Sequence, residues 1–252
     1  SMTQLTFDLA RTLAAGWGPG DEVVVSRLDH DANIRPWVLA AQGAGATVRW
    51  ADFDPTSGEL ETEAVAAVVG ERTRVVAVTA ASNLIGTRPD VPAIARLAHD
   101  SGALLVVDGV HATAHAPTDL AALGADVYLC SPYKLLGPHL GVMAADPALL
   151  ETLRPAKLLP STDAVPERFE LGTLPYELLA GCTAAVEVVV TVLRYRAAGM
   201  SLARMPIFAW YILVVAVMIL TAFPPMILGS LLLETERALG WPFFQAENGG
   251  DP

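Results

Sequence analysis

Apolar residues along this chain follow two rhythms: short uninterrupted runs, and longer stretches in which they recur at three and four. The runs are Glu22–Ser26, Thr47–Trp50, Arg74–Thr79, Leu104–Val107 and Asp126–Cys130. Short runs without alternation fit strands covered on both faces of a parallel sheet. Between them, Thr3–Ala15, Asn33–Gln42, Glu61–Val69, Pro89–Ser101 and Asp119–Leu123 read as helices, the first with Leu5, Leu9 and Leu13 on one stripe. Gly141–Ala145 reads as an antiparallel closing strand, with helices over Pro147–Leu153 and Leu174–Val190 after it. Gly16–Asp21 and Asp52–Leu60 are turn-rich connections. Strands alternating with helices predict an α/β fold, a mostly parallel sheet with helices on both faces and a cleft at the C-terminal strand edges.

The pattern changes near residue 190. Pro206–Leu233 is 28 residues without a charged side chain. As a helix at about 1.5 Å per residue it would be about 42 Å long, more than a hydrocarbon core of about 30 Å. Its apolar residues cover all sides rather than one stripe, which predicts a hydrophobic, membrane-type helix with a kink at Pro224 and Pro225. Arg194, Arg196 and Arg204 precede it while Glu234 and Glu236 follow, so its N-terminal end is expected to face the cytoplasm. The expected division is 1–187 as an enzyme-like domain, 188–205 as junction, 206–233 as the apolar helix and 234–252 as a polar tail.

Composition narrows the class. A chain of 252 residues accommodates one large or two smaller domains. A net charge of −11 with no basic stripe excludes nucleic acid as a partner. Cys130 and Cys182 have neither metal-ligand spacing nor a disulfide framework, which points to a reducing, cytoplasmic setting for residues 1–187. No signal peptide is expected, because Ser1–Ala15 is amphipathic and carries Asp8 and Arg11.

The candidate chemistry lies between residues 103 and 141. The run Leu104–Val107 ends on Asp108, and Asp126–Cys130 delivers Ser131 and Lys134. Neighbouring strands ending in an acid and a lysine suit pyridoxal 5'-phosphate (PLP). The amine can hold its aldehyde covalently, and the acid keeps the pyridine nitrogen protonated so that the ring accepts electrons. An acid and a lysine that merely end two strands are the other reading of the same pattern.

The segments DGVHA at 108–112 and GADVYLCSPYKLLGPHLG at 124–141 resemble the cofactor-binding core of the class V aminotransferase family. The likeness is to its cysteine desulfurase, selenocysteine lyase and isopenicillin epimerase branch, and the order of motifs matches from Ser1 to about Glu187. The resemblance implies the large domain of a type I PLP-dependent transferase, with Lys134 as the catalytic residue. It makes Thr3 and Ser131 ligands of the cofactor phosphate, although Thr3 also suits an ordinary helix cap. His30 takes the place of a histidine that stacks on the pyridine ring, and Asp31 replaces a second histidine found in many relatives. Asn83 is carried over as a contact to the phenolic oxygen, or else a turn residue. His111 stands where many relatives have glutamine, either donating to that oxygen or packed beneath the cofactor without a chemical role. Tyr133 replaces a histidine of better-known desulfurases. Thr173, in the segment Arg168–Thr173, is expected to reach the cofactor phosphate of a partner subunit, which implies a homodimer.

The substrate implied is a small amino acid, and the reaction is loss of sulfur or selenium, or racemisation. In desulfurases a small domain contributes a persulfide-forming cysteine and a carboxylate-binding arginine, and the family pattern stops near residue 190. Residues 190–252 instead resemble a fragment of subunit I of the haem–copper oxidases, through LRYRAAGMSLARMPIFAW, the Pro-Pro pair and the terminal GGDP. This fragment has no histidine for haem or copper. The expectation is a truncated or chimeric reading frame whose enzyme part binds PLP without completing desulfuration, Cys130 being buried in its strand. The alternative is a membrane-anchored fragment of an oxidase-type subunit with a non-catalytic soluble part.

Overall fold

A computed structural model describes residues 1–194. The expected membrane-type helix at 206–233, its junction beyond residue 194 and the tail lie outside the described residues. Among the described residues, no helix is long and apolar enough to cross a membrane.

The chain opens with a helix, Met2–Ala14 (α1), capped by Ser1, whose Oγ accepts from Gln4 N at 3.3 Å. Thr3, expected to begin this helix, sits one residue inside it. Strand Glu22–Ser26 (β1) leads through a one-turn 3-10 helix, Asp31–Asn33, into Arg35–Ala44 (α2). The predicted start at Asn33 is displaced because His30 caps the short turn and Pro36 fixes the first turn of α2. Thr47–Ala51 (β2), Thr62–Ala66 (α3) and Thr73–Thr79 (β3) follow. The third helix is shorter than predicted: the N–H groups of Val68 and Val69 both turn back to the Val65 carbonyl, closing the helix tightly. Val91–Asp100 (α4), Leu104–Asp108 (β4), Leu120–Leu123 (α5), Val127–Cys130 (β5), Val142–Ala145 (β6), Pro147–Thr152 (α6) and Tyr176–Arg194 (α7) complete the order.

The six strands form one sheet in the order β2-β1-β3-β4-β5-β6. All neighbours are parallel except β5 and β6, which pair antiparallel as expected. Strand side chains divide by parity. Val24, Val76, Val78, Leu105 and Val107 pack on one face with Ile94 of α4 and Val65 of α3. Val23, Val25, Val75, Val106 and Leu129 pack on the other with Leu9 of α1 and Trp37 of α2. Both faces are therefore covered, which is why the strands read as continuous apolar runs. Trp37 and Ile94 are fully buried, each contributing about 1.5–3 kcal/mol of apolar burial.

The two strand edges differ. At the N-terminal edge, buried Glu22 binds Arg49 at 2.7 Å and Arg72 at 3.1 Å, and its hydrogen bond from Arg49 holds the carboxyl below the usual range. At the C-terminal edge the strands run into loops that carry the candidate chemistry. Residues Ser1–Glu187 form one compact unit.

Candidate active site

Because β1, β3, β4 and β5 are parallel, their C-terminal ends open on one side, and α1 begins there too. A cavity of about 380 Å³ lies at this edge. Its wall includes Lys134, Asp108, His30, Asn83, His111, Ser131 and Thr3. Seven of the eight sequence-predicted site residues thus meet in one cleft. Thr173 does not line it; the residue is exposed, in a segment held elsewhere by Arg168. Arg168 is 5% exposed and donates to the carbonyls of Asp163, Glu151 and Leu153 and to the Glu151 carboxylate at 2.7 Å.

Asp108 ends the central strand, its Cα in register with Thr79 on one side and Leu129 on the other. Only 5% exposed, its carboxylate accepts from Val110 N at 2.8 Å. Burial pushes the carboxyl up, while that hydrogen bond and the nearby His30 and Lys134 pull it down. The next residue has no room for a side chain: a Cβ on Gly109 would lie 1.9 Å from the Tyr128 ring. Tyr128 is fixed in turn by Thr113 Oγ1, 2.8 Å from its hydroxyl.

Ser131 leaves β5 and starts the 3-10 turn Pro132–Leu135, which carries Lys134. The turn closes on Leu136 in the left-handed region, φ 65°, with Gly137 N donating to the Pro132 carbonyl. Ser131 is buried, and its side chain makes no capping bond to the turn it begins. Tyr133 is 44% exposed and stacks on His139 with ring centroids 5.0 Å apart.

Across the cleft, His30 Nδ1 accepts from Ala32 N at 3.0 Å. His111 is half-buried with its ring centroid 4.7 Å from that of His115. Burial first, then His115 and Lys134, lower its pKa and favour the neutral imidazole. Asn83 is exposed in the loop after β3. The start of α1 supplies N–H groups of its first turn beside Thr3, the seat that a phosphate takes at a helix N-terminus. An acid, an amine, a flat imidazole and a helix start around one cavity fit the donor set that PLP requires.

Sequence reasoning assigned no role to Asp29, the acid that precedes His30. Its carboxylate is bonded on the inside by Ser26 Oγ and by Asn33 Nδ2, the latter at 2.7 Å. Burial raises its pKa from 3.8 to about 7, with those hydrogen bonds opposing and Asp108 adding. The folded state therefore holds a proton there that the unfolded chain releases at lower pH, so this group's cost to stability grows as pH rises from about 4 to about 7. Asp29→Asn is expected to stabilise the chain more at pH 8 than at pH 5, the difference being on the order of 1–3 kcal/mol. Urea unfolding at the two pH values checks this; an equal effect at both would refute it.

Cys130 departs from expectation in degree: it is half-buried at the end of β5 rather than enclosed. Burial, then Cys182 and Asp108, push its thiol up to about 11, so it stays protonated near neutral pH.

Comparison with known proteins decides the family. The chain matches "Aminotransferase class-V" over residues 3–204. It belongs to the class-V aminotransferase family. Members of this family, cysteine desulfurases among them, use PLP. A cysteine desulfurase of Klebsiella pneumoniae is 35% identical over 206 residues, spanning 72% of this chain and 50% of that protein. An uncharacterised protein of Mycobacterium tuberculosis is 38% identical over 71% of this chain and 45% of its own length. The crystal structure of the cysteine desulfurase CsdA from Escherichia coli superposes with a TM-score of 0.70 at 28% identity, covering 75% of this chain and 50% of that one. This class-V chain spans about half the length of the curated relatives it matches. A second match, to "Cytochrome C and Quinol oxidase polypeptide I", covers residues 162–252 and overlaps the first over 162–204.

Proposed function

We propose that residues 1–187 are the PLP-binding large domain of a cysteine desulfurase-like enzyme acting on a small amino acid. The observation that carries this is the single cleft shared by Asp108, Lys134, His30, Ser131 and the start of α1. In this reading Lys134 Nζ would hold the cofactor covalently and, when free, would move a proton at the substrate α-carbon. Asp108 keeps the pyridine nitrogen protonated, and its burial lets a nearby cation be felt strongly. The His30 imidazole covers one face of the ring. Phosphate is taken by the first turn of α1, with Thr3, and by the Ser131 hydroxyl, which the turn leaves uncommitted. Asn83 and His111 face the phenolic oxygen, a neutral His111 serving as donor. Thr173, away from its own cleft, completes the phosphate site of a second copy, making the functional unit a homodimer. Bound in this way, PLP supplies an electron sink for the substrate's α-carbon.

Sulfur loss is the reaction that the named relatives favour over selenium loss or racemisation. Completing it requires a thiolate to take the sulfur, and a Cys130 thiol with pKa near 11 is unsuited to that. Cofactor binding without sulfide release is the expected outcome. The test is to add PLP, reduce with borohydride, map the modified peptide and assay sulfide from cysteine. Modification at a residue other than Lys134 overturns the assignment, and sulfide release abolished by Cys130→Ala overturns the expected inactivity.

A second reading rests on the oxidase-type match over 162–252 together with the uncharged run at 206–233. In it the apolar stretch anchors the chain to a membrane and the soluble part has no chemistry. Detergent-dependent solubility without a PLP adduct supports that reading over the first.

A further inference from the structure

Asp29 has no part in the chemistry above, yet it makes two bonds inside the protein. Asn33 Nδ2 donates to one carboxylate oxygen at 2.7 Å, and Ser26 Oγ donates to the other. Ser26 and Asn33 are fully buried, and Asn33 Oδ1 accepts in turn from buried Trp37 Nε1 at 3.3 Å. The chain of bonds runs from the last residue of β1 to the first turn of α2, and His30 lies inside the loop it closes. His30 is exposed, so its ring takes its orientation from that turn rather than from surrounding packing. The turn is made by Asn33 N donating to the His30 carbonyl at 2.8 Å and by Ala32 N donating to His30 Nδ1 at 3.0 Å. The second bond uses the Nδ1 lone pair, so the neutral ring carries its proton on Nε2.

We propose that Asp29 is the positioning residue of His30: by tying Ser26 to Asn33 it fixes the turn that sets the plane and the Nε2–H tautomer of the imidazole over the cleft. The role deepens the PLP reading, since an imidazole covers a ring face well only when its plane is held. It calls for two hydrogen-bonding atoms rather than for a negative charge. An acid close to neutral is served as well by an amide, which accepts from Asn33 with its oxygen and donates to Ser26 Oγ with its nitrogen.

The deciding experiment uses the full chain, labelled with ¹⁵N-histidine and without added PLP, so that it stands apart from cofactor binding. The ring nitrogens of His30, assigned by their loss in His30→Gln, should be widely separated in the wild type, as a single neutral tautomer requires. Asp29→Ala is expected to bring them toward the value for two exchanging tautomers, and Asp29→Asn to leave them apart. Ser26→Ala, which removes one of the two bonds with little change of volume, should narrow the separation and decides the question if Asp29→Ala does not fold. An unchanged separation in Asp29→Ala or Ser26→Ala, or a collapsed one in Asp29→Asn, overturns the proposal. With PLP added, Asp29→Ala should bind about tenfold more weakly than wild type and Asp29→Asn within about twofold. Failure of the wild type to bind PLP would sink the proposed function while leaving the nitrogen result to judge Asp29.

Discussion

Lys134→Ala should yield no borohydride-reducible PLP adduct, while the variant folds as the wild type does. The side chain is half-buried at the wall of an open cavity, so its truncation leaves no sealed void in either apolar core. What is lost is the amine. The proposed phosphate seat at α1 and Ser131 is untouched, and charge-assisted hydrogen bonds of about 1.5–3 kcal/mol each should keep some affinity. Residual binding should therefore be reversible on dialysis and weaker by at least about tenfold. Absorbance titration before and after dialysis reads both effects. An adduct of undiminished yield in the alanine variant would sink the assignment.

Gly141→Ala should damage the same site from a residue that does not line the cleft. A Cβ at this position would lie 2.5 Å from Met2 N, 2.5 Å from the Ser1 carbonyl carbon and 2.8 Å from its oxygen. All three are backbone atoms, so no rotamer change relieves the overlap and the start of α1 has to move. Overpacking of this kind costs about 1–3 kcal/mol of stability. The first turn of α1 is also the proposed phosphate seat, and its displacement should weaken PLP by about tenfold or more. Lys134→Ala and Gly141→Ala separate cleanly in assay. The first loses the covalent adduct at any concentration, whereas the second regains it when PLP is raised. Wild-type affinity in Gly141→Ala would show that phosphate binds elsewhere.

Much of this was legible in the chain because buried parallel strands leave an unambiguous trace. Leu104–Val107 and Val127–Cys130 are apolar runs that pass directly into Asp108 and Ser131, so the edge that carries the chemistry could be found by where each run stops. Thr173 was assigned to a partner's cleft through the family resemblance alone, since no apolar run or turn signal marks that segment; the structure leaves it exposed and away from its own cleft. Asp29 was hidden for a different reason. An acid in a polar loop reads as solvated, and only the inward turn of that loop onto Ser26 and Asn33, invisible to periodicity, gives its carboxylate two internal partners. Leu136 was hidden too. Next to Gly137, any reader of turns would assign the left-handed conformation to the glycine, yet the glycine is needed one residue later, where a Cβ would sit 3.0 Å from the Pro132 carbonyl oxygen. Close approach outcompetes backbone preference at that step.

The contact between Gly141 and the first turn of α1 also sets an order in time. The two partners are about 140 positions apart, and at synthesis rates of about 5–20 residues per second they leave the ribosome roughly 7 to 28 s apart. Only in the last part of that interval does the growing chain gain β4 with Asp108, then Lys134, and last the residues that pack against the helix start. A chain shorter than Gly141 therefore lacks the backbone that packs against the helix start, and one shorter than Lys134 also lacks the amine to which the proposed function assigns covalent attachment.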